Sequence, residues 1–352
     1  MHRILNGDCL VVLQEMPDNS VDLIVTDPPY FRVKSEEWDN QWATLSEFVA
    51  WIGNLAEQWR RVLKPNGSLY VFASSQMSAR VEIAIAEHFN VLNRIVWAKG
   101  AGGKKHGRWS SASKEALRSY FPETEYIIFA EHYEADNIAK GEAGYAAKCD
   151  ELRGFVFEPL RKYLDDERKR AGFKPEQVGE ILGSFMYHHY FSVSQWTLPT
   201  EDAYLKMRYG FNRANNSGEY LRREYEYLRR EYKDLRGEYE DLRREYEDLR
   251  RPFGVSVEVP YTDVWMFSPV AAYSGKHVCE KPLDMMKHIV SASTKPGAHV
   301  LDCFMGSGSA GIAALSLGRS FTGIEIDAQW CERARVRIEA QQAEISFSEA
   351  FP

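Results

Sequence analysis

The chain has 352 residues, 44% of them apolar, and its 44 basic and 51 acidic side chains leave a net charge of −7. That length carries one large α/β core and a further module, while the acidic balance speaks against a general polyanion-coating protein. Five cysteines (Cys9, Cys149, Cys279, Cys303, Cys331) lie far apart without a C-x-x-C pair, and no run of about 18 apolar residues occurs. Neither a disulfide framework, a zinc site nor a membrane span is therefore supported, and a cytoplasmic protein without metal is expected.

Val21 to Thr26 reads as a buried strand, short and β-branched, that stops at the turn Asp27-Pro28-Pro29-Tyr30. A helix over 45–63 follows, then the turn Lys64-Pro65-Asn66-Gly67 and strands at 68–72, 94–97 and 126–129. Residues 1–130 thus form an alternating α/β half-sheet that cannot close a domain alone. Within it, Arg94 to Arg118 holds seven basic residues against Glu115, among glycines at 100, 102, 103 and 107. Lys99, Lys104, Lys105 and Arg108 are candidates for following phosphates; by itself such a run is more often a solvated loop.

Residues 131–217 predict a helical insertion. Lys174 to Ser184 resembles the first helix and turn of a helix-turn-helix, and Phe185 to Tyr190 would open its recognition helix. A plain helical hairpin with an aromatic core fits nearly as well. Within a segment 218–252, the chain from 221 to 251 repeats every seven residues, with Leu221, Leu228, Leu235, Leu242 and Leu249 alternating with Tyr225, Tyr232, Tyr239 and Tyr246. With tyrosine at a and leucine at d, glutamates fall at g and arginines at e, as in a coiled coil. A straight helix of roughly 45 Å is predicted; whether it pairs with a second copy, giving a homodimer, or packs on its own chain stays open.

Residues 253–352 supply the other half. A strand from His299 to Phe304 enters Met305-Gly306-Ser307-Gly308, followed by a helix to Leu317 and a strand from Phe321 to Ile326. This β-α-β unit has so little chain after it that it must complete its sheet with the N-terminal strands, which brings both special loops to one carboxyl edge.

The chemistry gathers in those loops. Two prolines fix the backbone and remove donors, so the Asp27 carboxylate and the Pro28 carbonyl form a pair of acceptors. An amino group fits that pair, and accepting both its N–H bonds localises the nitrogen lone pair toward an electrophile. Tyr30 offers a π-face for a base drawn out of a duplex. The bland alternative is a surface Pro-Pro turn. Gly306-x-Gly308-x-x-Gly311 with Glu325 also satisfies a dinucleotide fingerprint, but a nicotinamide oxidoreductase would leave the Asp-Pro-Pro-Tyr turn unexplained.

Asn6-Gly7-Asp8-Cys9, Thr26-Asp27-Pro28-Pro29-Tyr30, Gly275-Lys276-His277-Val278-Cys279-Glu280-Lys281-Pro282, Asp302-Cys303-Phe304-Met305-Gly306-Ser307-Gly308 and Thr322-Gly323-Ile324-Glu325-Ile326-Asp327 resemble, in this order, the motifs of the β-class amino-methyltransferases of DNA. The resemblance implies a Rossmann-like methyltransferase sheet with an inserted target-recognition region, S-adenosylmethionine as cofactor and DNA as partner. It further implies adenine N-6 methylation by base flipping, with cytosine N-4 as the alternative. Asp8, with Cys9 beside it, would contact the cofactor adenine. Asp302, Phe304, Gly306, Ser307 and Gly308 would line the methionine side, Glu325 would hold the ribose, and Lys281 would support the methionine end. Asp27, Pro28, Pro29 and Tyr30 would hold the target base, Asp27 also bordering the cofactor. Cys303 stands where proline is common and is expected to loosen its loop without removing a ligand. The basic loop would close over DNA, and base selection would fall to residues around Gln177 to Trp196. A non-catalytic DNA-binding scaffold built on the heptad helix is the competing reading; an intact Asp27 and glycine loop argue against it.

Overall fold

Strands β1 (His2–Asn6) and β2 (Val21–Thr26) flank a short helix, Cys9–Glu15, whose N-terminus is capped by Asp8. β2 is apolar on both faces, as an inner parallel strand must be. Leu23 and Val25 enter one hydrophobic layer and Ile24 enters the other. The computed structural model that shows this describes residues 2–33, 36–99, 120, 123–133, 141–215, 218–255 and 261–350. These divide into two units, Met1–Asp136 with Arg251–Pro352, and Asn137–Arg250.

In the first unit, helix Leu45–Val62 starts where the Thr44 hydroxyl accepts from Glu47 N while the Glu47 carboxylate accepts from Ala43 N. Its buried positions Phe48, Ile52, Leu55 and Trp59 recur at helical spacing and cover one face of the sheet. Then come β3 (Leu63–Ser74), helix Ser78–Ala86, β4 (Asn90–Ala98) and β5 (Thr124–Glu131). The Lys64 to Gly67 turn interrupts pairing inside β3 rather than preceding it: Val21 pairs with Leu63 but Leu23 with Ser68. Gly67 is required there, because a Cβ would lie 2.5 Å from Leu63 Cδ1.

After the second unit the chain returns as β6 (Val264–Trp265), helix Leu283–Ser293, β7 (His299–Asp302), helix Ser309–Ser316, β8 (Ser320–Glu325) and helix Ala328–Ala350. The eight strands form one sheet in the order β1-β8-β7-β2-β3-β5-β4-β6. The first five are parallel, and β5 runs against both β3 and β4. The two chain halves meet where Leu23 faces Val300 and Ile24 faces Leu301. From this seam the connections wind outward in opposite directions, so the crevice past the carboxyl ends of β2 and β7 is where such a sheet accepts a ligand.

The second unit is helical: Gly141–Val156, Glu158–Arg170, Pro175–Leu182, Glu201–Ala214 and Tyr225–Leu249. The turn after Leu182 has Gly183 at φ 61°, but Phe185–Tyr190 is a six-residue 3-10 segment, not an α-helical recognition helix. The Tyr187 ring lies against Gly179, where a Cβ would meet it at 2.6 Å. The heptad helix begins at Tyr225, not Leu221. Leu221 sits at φ 52°, fully buried, and its N–H donates to the Glu167 carboxylate at 2.6 Å, so the chain turns into the core before the helix starts. The tyrosine-leucine stripe packs on its own unit: Leu228 and Tyr239 are buried, and the Phe157 ring lies 5.4 Å from Tyr232 and 5.8 Å from Tyr239. No helix among the described residues is long and apolar enough to cross a membrane.

Candidate active site

The chain leaving β2 is held in an unusual shape. Phe31 and Arg32 both occupy left-handed backbone, φ 59° and 60°, which costs about 1–2 kcal/mol for each non-glycine residue. Asp39, fully buried, compensates: its carboxylate accepts from Tyr30 N at 2.5 Å and Val33 N at 2.6 Å, and its carbonyl accepts from Arg32 N at 2.8 Å. Nothing in the local sequence singles out Asp39; it needs the folded loop to acquire this role.

Asp27, Pro28, Pro29 and Tyr30 are thereby fixed at the sheet edge, where Lys281 meets them from the far half of the sequence. The Lys281 ammonium, 8% exposed, donates to Asp27 Oδ2 and to the Tyr30 hydroxyl at 3.3 Å, and stands 3.5 Å from Glu125 Oε2. Tyr30 is itself buried, with Lys281 Nζ 5.5 Å from its ring centroid and its hydroxyl donating to Glu125 Oε2 at 3.2 Å. Of the Asp27 oxygens, Oδ1 is left over. Among the described residues it is the single buried side-chain oxygen or nitrogen without a hydrogen-bond partner. A buried acceptor in that state costs free energy until a donor arrives.

Burial pushes the Asp27 carboxyl above the usual range against the pull of Lys281. Burial lowers the charged state of Lys281 too, but the Asp27 and Glu125 carboxylates outweigh it and raise the ammonium above an ordinary lysine. Glu125, though also desolvated, is drawn below the ordinary range by Lys281 and Lys99.

Asp27, Pro28, Pro29, Tyr30 and Lys281 line a cavity of about 510 Å³, within the size of small-molecule sites. Its other walls are the ends of β1, β7 and β8. The Glu325 carboxylate accepts from Gly306 N at 2.9 Å and Asp327 N at 3.0 Å, which aims it along the glycine turn. Gly306 and Gly308 take φ 49° and 80°, and a Cβ on Gly306 would meet the His277 ring at 3.1 Å. Gly311 serves packing, since a Cβ there would come 2.7 Å from Ile338 and Phe321. Trp51 and Phe304 form an aromatic wall, ring centroids 5.6 Å apart. Asp8 and Cys9 border the cavity, with one Asp8 oxygen spent on capping Leu10 N at 2.8 Å.

Cys303 does not loosen the loop. Its N–H donates to Thr26 Oγ1 at 3.2 Å, a bond proline lacks, and its sulfur accepts from Trp59 Nε1 at 3.3 Å. Thr26 in turn donates to Asp302 Oδ1 at 3.0 Å. Burial pushes Asp302 from 3.8 up to about 7. The folded chain therefore holds this proton across a window in which the unfolded chain has lost it. Its contribution to stability is present below the unfolded value and lost as pH rises through the folded one. Asp302→Asn is expected to remove that downward slope between pH 3.8 and about 7, seen as a midpoint of thermal unfolding that falls less with pH than the wild type's. Parallel pH profiles for the two proteins would contradict this.

With that geometry in place, comparison with known proteins is decisive: the DNA methylase family matches residues 21–336, from β2 into the helix after β8. The chain belongs to the DNA methylase family. Similar proteins include the DNA adenine methyltransferase YhdJ of Escherichia coli strain K12, 24% identical over 96% of this chain and 82% of its own. The Type II methyltransferase M2.DpnII of Streptococcus pneumoniae is 24% identical over 96% and 90%. Among solved structures, TTHA0409 from Thermus thermophilus, complexed with S-adenosyl-L-methionine, aligns over 97% of this chain and 96% of its own at 17% identity and a TM-score of 0.47.

In this DNA methylase the structure gathers Asp8, Cys9, Asp27, Pro28, Pro29, Tyr30, Lys281, Asp302, Phe304, Gly306, Ser307 and Glu325 around one cavity. Gly308 begins the helix behind it. The Lys281 ammonium is engaged by Asp27 and Glu125. The Lys99 ammonium pairs with Glu125 and lies 4.9 Å from the Trp97 ring centroid. Lys104, Lys105 and Arg108 lie outside the described residues. Sequence reasoning missed Glu125 and Asp39. A carboxylate at a strand end and one in a polar loop carry no local signal.

Proposed function

We propose that this DNA methylase transfers the methyl group of S-adenosylmethionine to the exocyclic N-6 amino group of adenine in DNA. The observation that carries the reading is Asp27 Oδ1, a buried carboxylate oxygen with no donor among the described residues, on an aspartate that borders a cavity beside a proline-locked backbone. It calls for an N–H, and the Pro28 carbonyl supplies the second acceptor that an amino group can use. Accepting both bonds withdraws the nitrogen lone pair from the ring and exposes it for attack. As the new N–C bond forms, the nitrogen becomes acidic, and the burial-raised basicity of Asp27 suits it to take up the departing proton.

The residues present fit the cofactor. Glu325, oriented by Gly306 and Asp327, suits the paired hydroxyls of a ribose. Asp8 and Cys9 would border its adenine, and Asp302, Phe304, Gly306, Ser307 and Gly308 its methionine side. When bound, the cofactor supplies a methyl carbon activated by an adjoining sulfonium. Adenine is the favoured base because the turn is Asp-Pro-Pro-Tyr and because a relative spanning nearly the whole chain carries an adenine methyltransferase name.

The test is transfer of labelled methyl from S-adenosylmethionine to unmethylated DNA, read by nucleoside analysis of the digest. Label in N-6-methyladenine with the wild type, absent with Asp27→Ala, is expected. Label in cytosine would move the target to N-4, and no label in any nucleic acid would end the reading.

A further inference from the structure

Glu125 belongs to none of the five motifs, yet it stands at the centre of the charge network. It sits on β5, opposite Ser74 of β3 and Trp97 of β4. One oxygen accepts from Lys99, and the other accepts from the Tyr30 hydroxyl and faces Lys281 at 3.5 Å. Lysines and carboxylates therefore alternate in a chain: Lys99, Glu125, Lys281, Asp27. We propose that Glu125 is a positioning residue of the methyl-transfer site, dividing the Lys281 ammonium between two carboxylates and holding the Tyr30 hydroxyl, so that Asp27 keeps Oδ1 free for the substrate amino group. This rests on the methyltransferase reading above.

The geometry supports it in two ways. An ammonium has three protons and no lone pair, and a lone carboxylate beside it attracts it to both oxygens. Glu125 supplies the counter-pull: Lys281 bonds Asp27 through Oδ2 alone, with the Tyr30 hydroxyl and the Cys279 carbonyl at 3.4 Å as its other acceptors. Tyr30 has a single hydroxyl proton. Because Glu125 accepts it, the Tyr30 oxygen is free to accept from Lys281, and the ring is fixed at the cavity wall. The charges felt by Asp27 agree: Lys281 favours its ionised form, while Glu125 opposes it. The Asp27 charge also raises Asp302, on β7, and Cys279 faces Lys281.

The experiment follows the Asp27 carboxyl directly, by carbon-13 NMR titration of the full chain labelled at aspartate, with Asp27→Asn assigning the resonance. In Glu125→Gln, Lys281 turns wholly to Asp27 and the repulsion from Glu125 is gone, so the Asp27 midpoint should move to lower pH. Lys99→Gln, at a more exposed position, should move it to higher pH, because Glu125 without Lys99 draws Lys281 away from Asp27. Opposite shifts in the two variants are the expected result. An unmoved midpoint, or shifts of the same sign, would overturn the inference whatever the activity, and Lys99→Gln decides the matter even if Glu125→Gln fails to fold. In methyl transfer, Glu125→Gln should lower kcat about ten- to a hundredfold, as for loss of one charge-assisted hydrogen bond, with cofactor affinity unchanged and the acid limb of the rate profile moved to lower pH. A loss of kcat with an unmoved limb marks a merely structural residue. A wild type that methylates no DNA removes the proposed function, while the NMR shifts still decide whether Glu125 sets the state of Asp27.

Discussion

Asp27→Asn should lower methyl transfer by on the order of a thousandfold while leaving S-adenosylmethionine affinity within a few-fold of wild type. The substitution preserves shape, so the argument is about donors and acceptors. Lys281 can only donate, and in the native protein it donates to Asp27 Oδ2. An asparagine has one oxygen, and Lys281 will claim it. The amide NH2 then takes the place of Oδ1, the acceptor without a partner among the described residues. A donor would face the donor amino group of the target base, and the lone pair would no longer be localised. Cofactor contacts proposed for Glu325 and the glycine turn lie on β8 and after β7, which the substitution leaves in place. Single-turnover methylation with labelled cofactor, alongside calorimetric titration of the cofactor, separates these effects. A variant within tenfold of wild-type rate would show that Asp27 Oδ1 is not where the amino group binds.

Lys281→Met should cost about 3–5 kcal/mol of folding stability, the usual penalty for removing one partner from a buried ion pair, and should abolish activity as well. Methionine fills much of the volume but leaves Asp27 and Glu125 buried with Lys99 as the remaining cation in the network. The sign with pH follows from the raised Lys281 pKa. A cation held above its unfolded value, about 10.4, contributes fully below that value and loses the contribution as pH rises through the folded one. Across neutral pH the wild-type advantage is therefore whole. It shrinks in acid for a different reason: protonating Asp27 and Glu125 relieves the variant of its unpaired charges. Urea denaturation of both proteins at neutral and mildly acidic pH measures this. A difference below about 1 kcal/mol at neutral pH would place Lys281 among exposed pairs and contradict the burial seen here.

The sequence alone determined what depends on a few consecutive residues. The β-branched run before Asp27, the proline-locked turn, the glycine turn after Asp302 and most of the seven-residue repeat over 221–251 each write their backbone geometry locally, because side-chain period, missing N–H groups and left-handed glycines act within one or two turns of chain. The order of those motifs also required the two halves to share a sheet, which the β2 to β7 seam realises. Local pattern was ambiguous where it had no means of choosing. Helical spacing over Phe185 to Tyr190 does not separate an α-helix from a 3-10 turn, and the aromatic packing of Tyr187 on Gly179 decided it. Nor does a heptad reveal its partner; here Phe157 occupies the tyrosine face.

Tertiary structure alone decided the electrostatics of the site. Lys281 and Asp27 are 254 positions apart, and Glu125 and Asp39 have no motif of their own. A charge is a property of one residue, but its partner, its burial and the oxygen it leaves unpaired belong to a place in space. That place exists only once β2, β5, β7 and the segment before helix Leu283–Ser293 converge, because desolvation and Coulomb interaction depend on distance through the fold and not along the chain.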